Sequence, residues 1–502
     1  MAVAEGAQWS GLFRIAPDSG RTLQSQIREA VVGAVLNGRM RADQPLPSCR
    51  TLAKNLGVAR GTVVLAYQQL LDAGFLVAVE RRGHFVNPEA LPVTPEAGER
   101  TDAPPDEATG PDWDAFGARE IGPLRIPRKP IDWLNHPYPF VYGQFDPNLF
   151  PVNEWRECSR MALGVREIRD WAADWADRDD PLLIEQIRTR LLPRRGIFAR
   201  PDEIMVTLGA QNALYLLTSL LGSPGRSFAM EDPGYPDARA IFSLGGEVVP
   251  VGMDASGIDP ARVPERSTVL FCTPSHQCPT GLSMPRERRE AVLDWAEERG
   301  GLVIEDDYDS QLLDRPEGGA VPADEALPAL KSLDRSGRVV HVGSLSKTLA
   351  PGLRLGYLVA DADLVRRLRQ LRRLVLRHPP ANNQRAVAIF LSLGHHDALV
   401  RRLVRSMREK RDALREAMAE LMPRFDAGPG AASASIWFRG PPEVNAERLA
   451  AAARERGVIV EPGDVFYADP TSAPRDALRF GVTAIERRRI EKGVATLAKV
   501  MG

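Results

Sequence analysis

The sequence predicts a multidomain chain. An N-terminal winged helix-turn-helix, mainly α with a β-wing, precedes an α/β body that ends in a smaller C-terminal α/β subdomain. Three observations lead there. The 502 residues are too many for one domain. Residues 21–87 carry nine basic against four acidic side chains, a net +5, and residues 88–120 carry two basic against nine acidic, a net −7. From about residue 131, apolar runs of strand length alternate with helical patterns, the order of a mostly parallel sheet. The expected divisions are an N-terminal extension (1–19), the head (20–87), an acidic, proline-containing linker (88–130), a large α/β domain (131–384) and the small subdomain (385–502).

In the head, Leu23, Ile27, Val31, Val32, Val35 and Leu36 repeat at helical spacing, and Asn37-Gly38 ends that helix. Ser48 is placed to cap a second helix that runs through Leu56 and stops at Gly57. A third helix is expected from Arg60 to Ala73, with Val63, Val64, Tyr67, Leu70 and Leu71 buried and Gly74 ending it. Phe75–Val79 and His84–Val86 read as two short strands joined at Arg81-Arg82-Gly83. Helix, helix-turn-helix, then hairpin is the winged helix-turn-helix order. A basic head beside an acidic strip implies a polyanionic partner and a solvated tether.

In the body, Ile204–Thr207, Thr268–Phe271, Leu302–Ile304 and Val339–Val342 read as strands, with helices such as Arg286–Glu298 and Leu364–Leu376 between them. The tail holds long arginine-rich helices. The four cysteines are scattered, which fits a reducing compartment. Cys272, His276 and Cys278 lie close together but lack a second ligand cluster, so no metal site is assigned. There is no signal-peptide pattern and no apolar run of the roughly 18 residues a membrane span needs. The expected location is the cytoplasm, with no membrane partner.

Four spots in the body fit one cofactor. Gly209-Ala210-Gln211-Asn212 follows a strand and opens a helix, where free amides and the helix dipole suit a phosphate. Asp306 ends an apolar strand, where a buried carboxylate can keep a pyridine nitrogen protonated. Lys347 stands in Ser344-Leu345-Ser346-Lys347, a lysine able to form a Schiff base with a phosphorylated aldehyde, and Arg354 follows one short loop later to grip the phosphate. That cofactor is pyridoxal 5'-phosphate.

The order Gly-x-Gln, Asp-Pro-Gly-Tyr-Pro (232–236), Thr-Pro-Ser-His-Gln-Cys-Pro-Thr-Gly (273–281), Glu-Asp-Asp-Tyr-Asp (305–309) and Ser-Leu-Ser-Lys-Thr-Leu-Ala-Pro-Gly-Leu-Arg-Leu-Gly (344–356) resembles fold-type I aminotransferases. Leu-Pro-Ser-x-Arg-x-Leu-Ala (46–53) and Gly-Val-x-Arg-x-Thr-Val-x-x-Ala-Tyr-x-x-Leu (57–70) resemble the GntR family. Together they resemble the MocR/GabR regulators, over nearly the whole chain. The resemblance implies a transcription regulator that binds double-stranded operator DNA, forms a homodimer, and senses a small amino compound when that compound displaces Lys347 from the cofactor as an external aldimine. It implies that Asp306 pairs with the pyridine nitrogen, Tyr308 bonds the ring 3-oxygen and Tyr235 stacks on the ring. Ala210, Gln211, Ser344, Ser346 and Arg354 would surround the phosphate. Arg479 would take an effector carboxylate, and Gly143 would line the effector side. In the head, Arg50, Arg60 and Thr62 match the family's DNA contacts, and Arg81, Arg82 and His84 of the wing are further candidates.

Two departures bear on activity. Aminotransferases usually place Asn where this chain has Cys278, which removes one contact to the 3-oxygen and counts against efficient transamination. The family's Gly-x-Gly-Thr wing turn is here Arg81-Arg82-Gly83-His84. The rival reading is a working aminotransferase with a fused DNA-binding head; a repressor whose body has lost its cofactor is opposed by intact Lys347 and Asp306. Tyr142-Gly143-Gln144-Phe145-Asp146-Pro147 resembles a stretch of regulators of ectoine or taurine use, but the sequence identifies neither the effector, nor the operator, nor the direction of regulation.

Overall fold

The computed structural model describes residues 16, 20–91, 113, 115–116, 124–144, 146–174, 177–312, 327–428, 430 and 434–501. Two compact units divide the chain at residues 119 and 120. All of the expected N-terminal extension except residue 16, and most of the expected linker, lie outside the described residues.

The smaller unit holds α1 (Leu23–Leu36), α2 (Cys49–Leu56), α3 (Arg60–Asp72) and a hairpin of β1 (Leu76–Val79) and β2 (Gly83–Val86), paired antiparallel with Leu76 opposite Val86. The caps follow from the sequence. Thr22 Oγ1 accepts from the Ser25 amide at 3.2 Å, and Ser48 Oγ accepts from the Thr51 amide at 3.1 Å. Gly57 closes α2 with φ 66°. Tyr67 Oη donates to the Pro47 carbonyl at 3.0 Å and ties α3 to the entry of α2. The buried stripe of α3 is Val63, Ala66, Tyr67 and Leu70. The expected stripe errs at Val64, which is 43% exposed, beside Leu65 at 56%. Positions 63, 66, 67 and 70 share one helical face, and Val64 is turned about 100° away.

The larger unit is built on eight strands: β4 (Ile204–Thr207), β5 (Ser227–Asp232), β6 (Glu247–Asp254), β7 (Gly257–Ile258), β8 (Val269–Cys272), β9 (Leu302–Asp307), β10 (Val339–Ser344) and β11 (Gly356–Val359). A short strand, β3 (Tyr138–Pro139), precedes them. The sheet order is β4-β11-β10-β9-β8-β5-β6-β7. The central pairs are parallel, while β11 runs antiparallel to β10 and β4, and β7 antiparallel to β6. Strands β4, β8 and β10 are buried along their whole length, as strands covered on both faces must be, hence the continuous apolar runs. Thr207, Asp306 and Ser344 sit at the carboxyl ends of their strands, the edge where open α/β sheets bind ligands.

A second, antiparallel sheet orders β12 (Asp426–Ala427), β13 (Ser435–Arg439), β16 (Ala477–Gly481) and β15 (Glu461–Pro462), while β14 (Val458–Ile459) pairs in parallel with β3. The small subdomain therefore recruits a segment from the start of the body. Phe140 packs edge-on against Phe480 at 5.3 Å, and its amide donates to the Ile459 carbonyl at 2.9 Å. The expected division at 384/385 falls inside one helix, Ala381–Ser392, whose apolar side chains join the core of the large part. The passage between cores occurs along the 27-residue helix His395–Leu421: Leu399 packs in the large core, Met407 and Leu414 in the small one.

Candidate functional site

A cavity of about 360 Å³ opens at the carboxyl ends of the central strands. Lys347, Asp306, Tyr308, Tyr235, Ala210, Gln211, Ser344, Ser346, Arg354, Arg479 and Gly143 all line it. Each arrives for a local reason. Ala210 and Gln211 form the first turn of helix Ala210–Leu221, one turn earlier than its apolar pattern starts, so their amides face the cavity. Gly209, at φ 82°, makes the turn, and a Cβ there would stand 3.2 Å from the Arg354 guanidinium, which donates to the Leu208 carbonyl at 2.9 Å. Arg354 itself adopts φ 51° between the Pro351–Leu353 turn and β11. Gln211 Nε2 reaches Tyr235 Oη at 3.3 Å and Asp237 Oδ1 at 2.9 Å, which braces the Tyr235 ring.

The two decisive groups are out of their ordinary ranges. Burial, then the Asp307 and Asp309 carboxylates, push the Asp306 carboxyl up to about 8, and among the described residues its Oδ1 has no hydrogen-bond partner. Burial, then the charges of Lys129 and Arg479, pull the Lys347 ammonium down to about 8, so a neutral amine is available near neutrality. An orphaned buried carboxylate calls for a cationic N–H, which a protonated pyridine supplies. The donor set therefore fits the phosphorylated pyridine aldehyde: an acid for the ring nitrogen, a side-chain amine for the aldehyde, and an arginine beside a helix N-terminus for the phosphate. Tyr308 Oη donates to the His276 carbonyl at 2.9 Å, with the two rings stacked at 6.2 Å and the His276 Nδ1 2.6 Å from Asp309 Oδ2. Behind the strand ends, Arg195 bonds Asp307 Oδ2 at 2.8 Å and Ser275 Oγ at 2.6 Å and holds that edge rigid. Burial pushes the Cys278 thiol up to about 12, so it is a neutral, packed group.

Arg479 departs from the simple picture of a free carboxylate receptor. Its Nε and Nη2 both point at Glu461 Oε2, at 2.7 and 2.6 Å. Burial opposes its charge, but Glu461, Cys278 and Tyr142 together outweigh burial and hold the guanidinium above its ordinary range. It is sandwiched between the Tyr142 ring (4.6 Å) and the Phe466 ring (4.5 Å), and its Nη1 faces Cys278 Sγ at 3.8 Å. Sequence reasoning missed Glu461, although it ends the apolar run Val458–Val460 as Asp306 ends its own. It also missed Lys129, which lies in the stretch assigned to the linker. Ile126, Pro127 and Lys129 form part of the cavity wall, and Arg125 anchors them by donating to the Asp464 carbonyl at 3.1 Å and the Tyr467 carbonyl at 3.3 Å.

In the head, Arg50, Arg60, Arg81 and Arg82 are exposed and Thr62 is half-buried. Arg60 is the first residue of α3 and Arg50 the second of α2. Among the described residues, neither guanidinium has an ion-pair partner. Arg81, at φ 60°, makes the wing turn with Gly83. His84 is turned inward instead: its ring meets Tyr67 edge-on at 5.1 Å, so it braces the wing against α3.

Residues 23–86 match the model of bacterial regulatory proteins of the gntR family, and residues 177–497 that of aminotransferase class I and II. The chain is 43% identical to the HTH-type transcriptional regulator TauR of Rhodobacter capsulatus, over 97% of this chain and 98% of that protein. It is 28% identical to the probable rhizopine catabolism regulatory protein MocR of Rhizobium meliloti, over 96% and 94%. Among solved structures, LysN, the alpha-aminoadipate aminotransferase of Thermus thermophilus complexed with N-(5'-phosphopyridoxyl)-L-leucine, superposes with a TM-score of 0.66 at 27% identity, covering 78% of this chain and 98% of that one.

Proposed function

The chain belongs to the MocR/GabR-type, HTH-type transcriptional regulators, a GntR head joined to a class I/II aminotransferase domain, and on that premise we propose that its body holds pyridoxal 5'-phosphate and uses it to sense an amino compound. The observation that carries this reading is the presence, in one cavity, of the buried Asp306 carboxyl, whose Oδ1 has no hydrogen-bond partner among the described residues, and of the depressed Lys347 amine. The bound cofactor supplies an aldehyde carbon that exchanges one primary amine for another. Lys347 provides the resident amine. Asp306 holds the ring nitrogen's proton, Tyr235 covers the ring face, and Tyr308 stands at the ring oxygen. Ala210, Gln211, Ser344, Ser346 and Arg354 hold the phosphate. Arg479 and Gly143 shape the effector side.

Arg50, Arg60 and Thr62 approach the major groove of the operator, with Arg81 and Arg82 following the backbone or the minor groove. The proposed assembly is a cytoplasmic homodimer in which the effector shifts the balance between two arrangements, one of them favoured by DNA. Such coupling is reciprocal and is on the order of 1–3 kcal/mol.

The test is operator affinity with and without effector, on wild type and Lys347→Ala. Wild type should be yellow with cofactor and respond. Lys347→Ala should lose the yellow absorbance, bind operator, and lose most of the response. An undiminished response in that variant sinks amine exchange as the switch. The complete set of chemical groups around the cavity also suits a working aminotransferase. Conversion of the cofactor to its amine form on long incubation with an amino donor, restored by a keto acid, would favour that reading.

A further inference from the structure

The head exposes two apolar side chains that its own fold does not use. Val64 is 43% exposed and Leu65 56%, side by side in the second turn of α3. Among the described residues of the head, the other exposed large apolar side chains are Leu23, Leu36 and Val79. These stand singly at the ends of α1 and β1, where scattered exposure is ordinary.

A glycine lies on the same face. Gly61 sits in the first turn of α3, where glycine costs helix stability relative to alanine. Nothing within the head requires it: a Cβ there would meet no atom within 4 Å, and its φ is not positive. Helical residues four apart are neighbours, so Val64 stands one turn beyond Arg60, and Leu65 one turn beyond Gly61. The bare backbone of Gly61 thus leaves a notch bounded by Arg60, Val64 and Leu65, on the side of α3 away from its buried stripe. The face is cationic as well as apolar. Arg60 is exposed and, among the described residues, has no ion-pair partner, in a head whose residues 21–87 carry a net +5.

A cation beside an apolar notch suits a polyanion that also presents an apolar group. In the major groove of ordinary DNA that group is the 5-methyl of thymine; the other atoms at the base edges are hydrogen-bond donors and acceptors. We propose that Val64 and Leu65 read a thymine of the operator by its 5-methyl group, which enters the notch over Gly61 while Arg60 holds a neighbouring base or phosphate. The inference rests on the approach of α3 to the major groove proposed above and adds an apolar element to its sequence readout. Four helical residues rise about 6 Å and base pairs stack about 3.4 Å apart, so the thymine lies within about two base pairs of the Arg60 contact.

The test selects duplexes from a randomised library with cofactor-loaded wild type, then replaces each thymine of the selected site by uracil. That exchange removes the 5-methyl group and leaves every hydrogen-bonding group in place. Titration at fixed salt should show wild type losing about fourfold in affinity at one thymine, or at its symmetry mate, as expected for one buried methyl group. The double variant Val64→Ala/Leu65→Ala should bind thymine and uracil alike at that position. Alanine is the better helix former, so this variant keeps its fold, which melting of the head checks. Gly61→Ala should raise the melting temperature of the head yet weaken binding to the selected site, because its methyl group fills the notch. A uracil effect undiminished in the double variant, or an unchanged affinity in Gly61→Ala, overturns the proposal. So does a selection that enriches no site containing thymine. A flat uracil scan overturns methyl readout alone if Arg60→Ala still weakens binding, and the approach of α3 with it if Arg60→Ala has no effect.

Discussion

Replacing Asp306 with Asn should make the cofactor-free protein more stable, increasingly so as pH rises. The carboxyl is pushed from its ordinary 3.8 up to about 8, first by burial and then by Asp307 and Asp309. Below pH 4 it is protonated in both folded and unfolded chains and contributes nothing. Above that, the unfolded carboxyl ionises while the folded one stays neutral until about pH 8, so the folded state loses ground across this window. At about 1.4 kcal/mol per pH unit, the penalty grows by up to about 4 kcal/mol between pH 5 and pH 8. Unfolding entropy of about 2 cal/mol/K per residue converts this, for a body of nearly 400 residues, into roughly 2–5 °C of melting temperature, with water entering the cavity favouring the lower end. Glu231, raised to about 7 by burial, slopes the same way in both proteins, so the difference between wild type and Asp306→Asn isolates the one carboxyl. The assay is thermal unfolding of both cofactor-free proteins at pH 5 and pH 8. A gap that stays constant or narrows as pH rises would refute the reasoning. With cofactor added, the order should reverse, because Asn cannot carry the charge that a protonated ring nitrogen needs.

Other outcomes follow from the same geometry. Arg60→Ala should weaken operator binding by about 1–3 kcal/mol and random DNA by much less, measured by titration at fixed salt; equal losses would make Arg60 a phosphate contact. Arg479→Ala should destabilise the body by about 3–5 kcal/mol in denaturant melts, because it leaves Glu461 buried without its partner. Ser48→Ala should cost the head about 1 kcal/mol through loss of the α2 cap, read as a lower melting point for its transition. Gly143→Ala should weaken cofactor retention, measured by dialysis, since it both strains a φ of 76° and displaces the Lys347 amine.

The parts legible in the sequence were those specified by local chemistry. Ser48, Gly57 and the apolar spacing of α3 reported their own geometry, because capping and periodicity act within a few residues. Asp306 lies at the end of β9, Ala210 opens a helix after β4, and Lys347 and Arg354 stand in the connection between β10 and β11; local pattern marked each, and all four line one cavity. What stayed hidden depended on contacts distant in sequence. Glu461 is an ordinary acid until β15 pairs with β16 and sets it opposite Arg479. Phe140 reads as part of the large domain until β3 pairs with β14. Lys129 sits in a proline-containing stretch whose composition says linker, and only Arg125's bonds to Asp464 and Tyr467 bring it into the cavity wall.

These hidden contacts decide what the site can recognise. Were Arg479 free, the cavity would hold two cations for acid groups and would suit a dicarboxylate as well as a simple amino acid. With Glu461 bound to it, the guanidinium serves first to hold β15 against β16 and to fill the space between Tyr142 and Phe466.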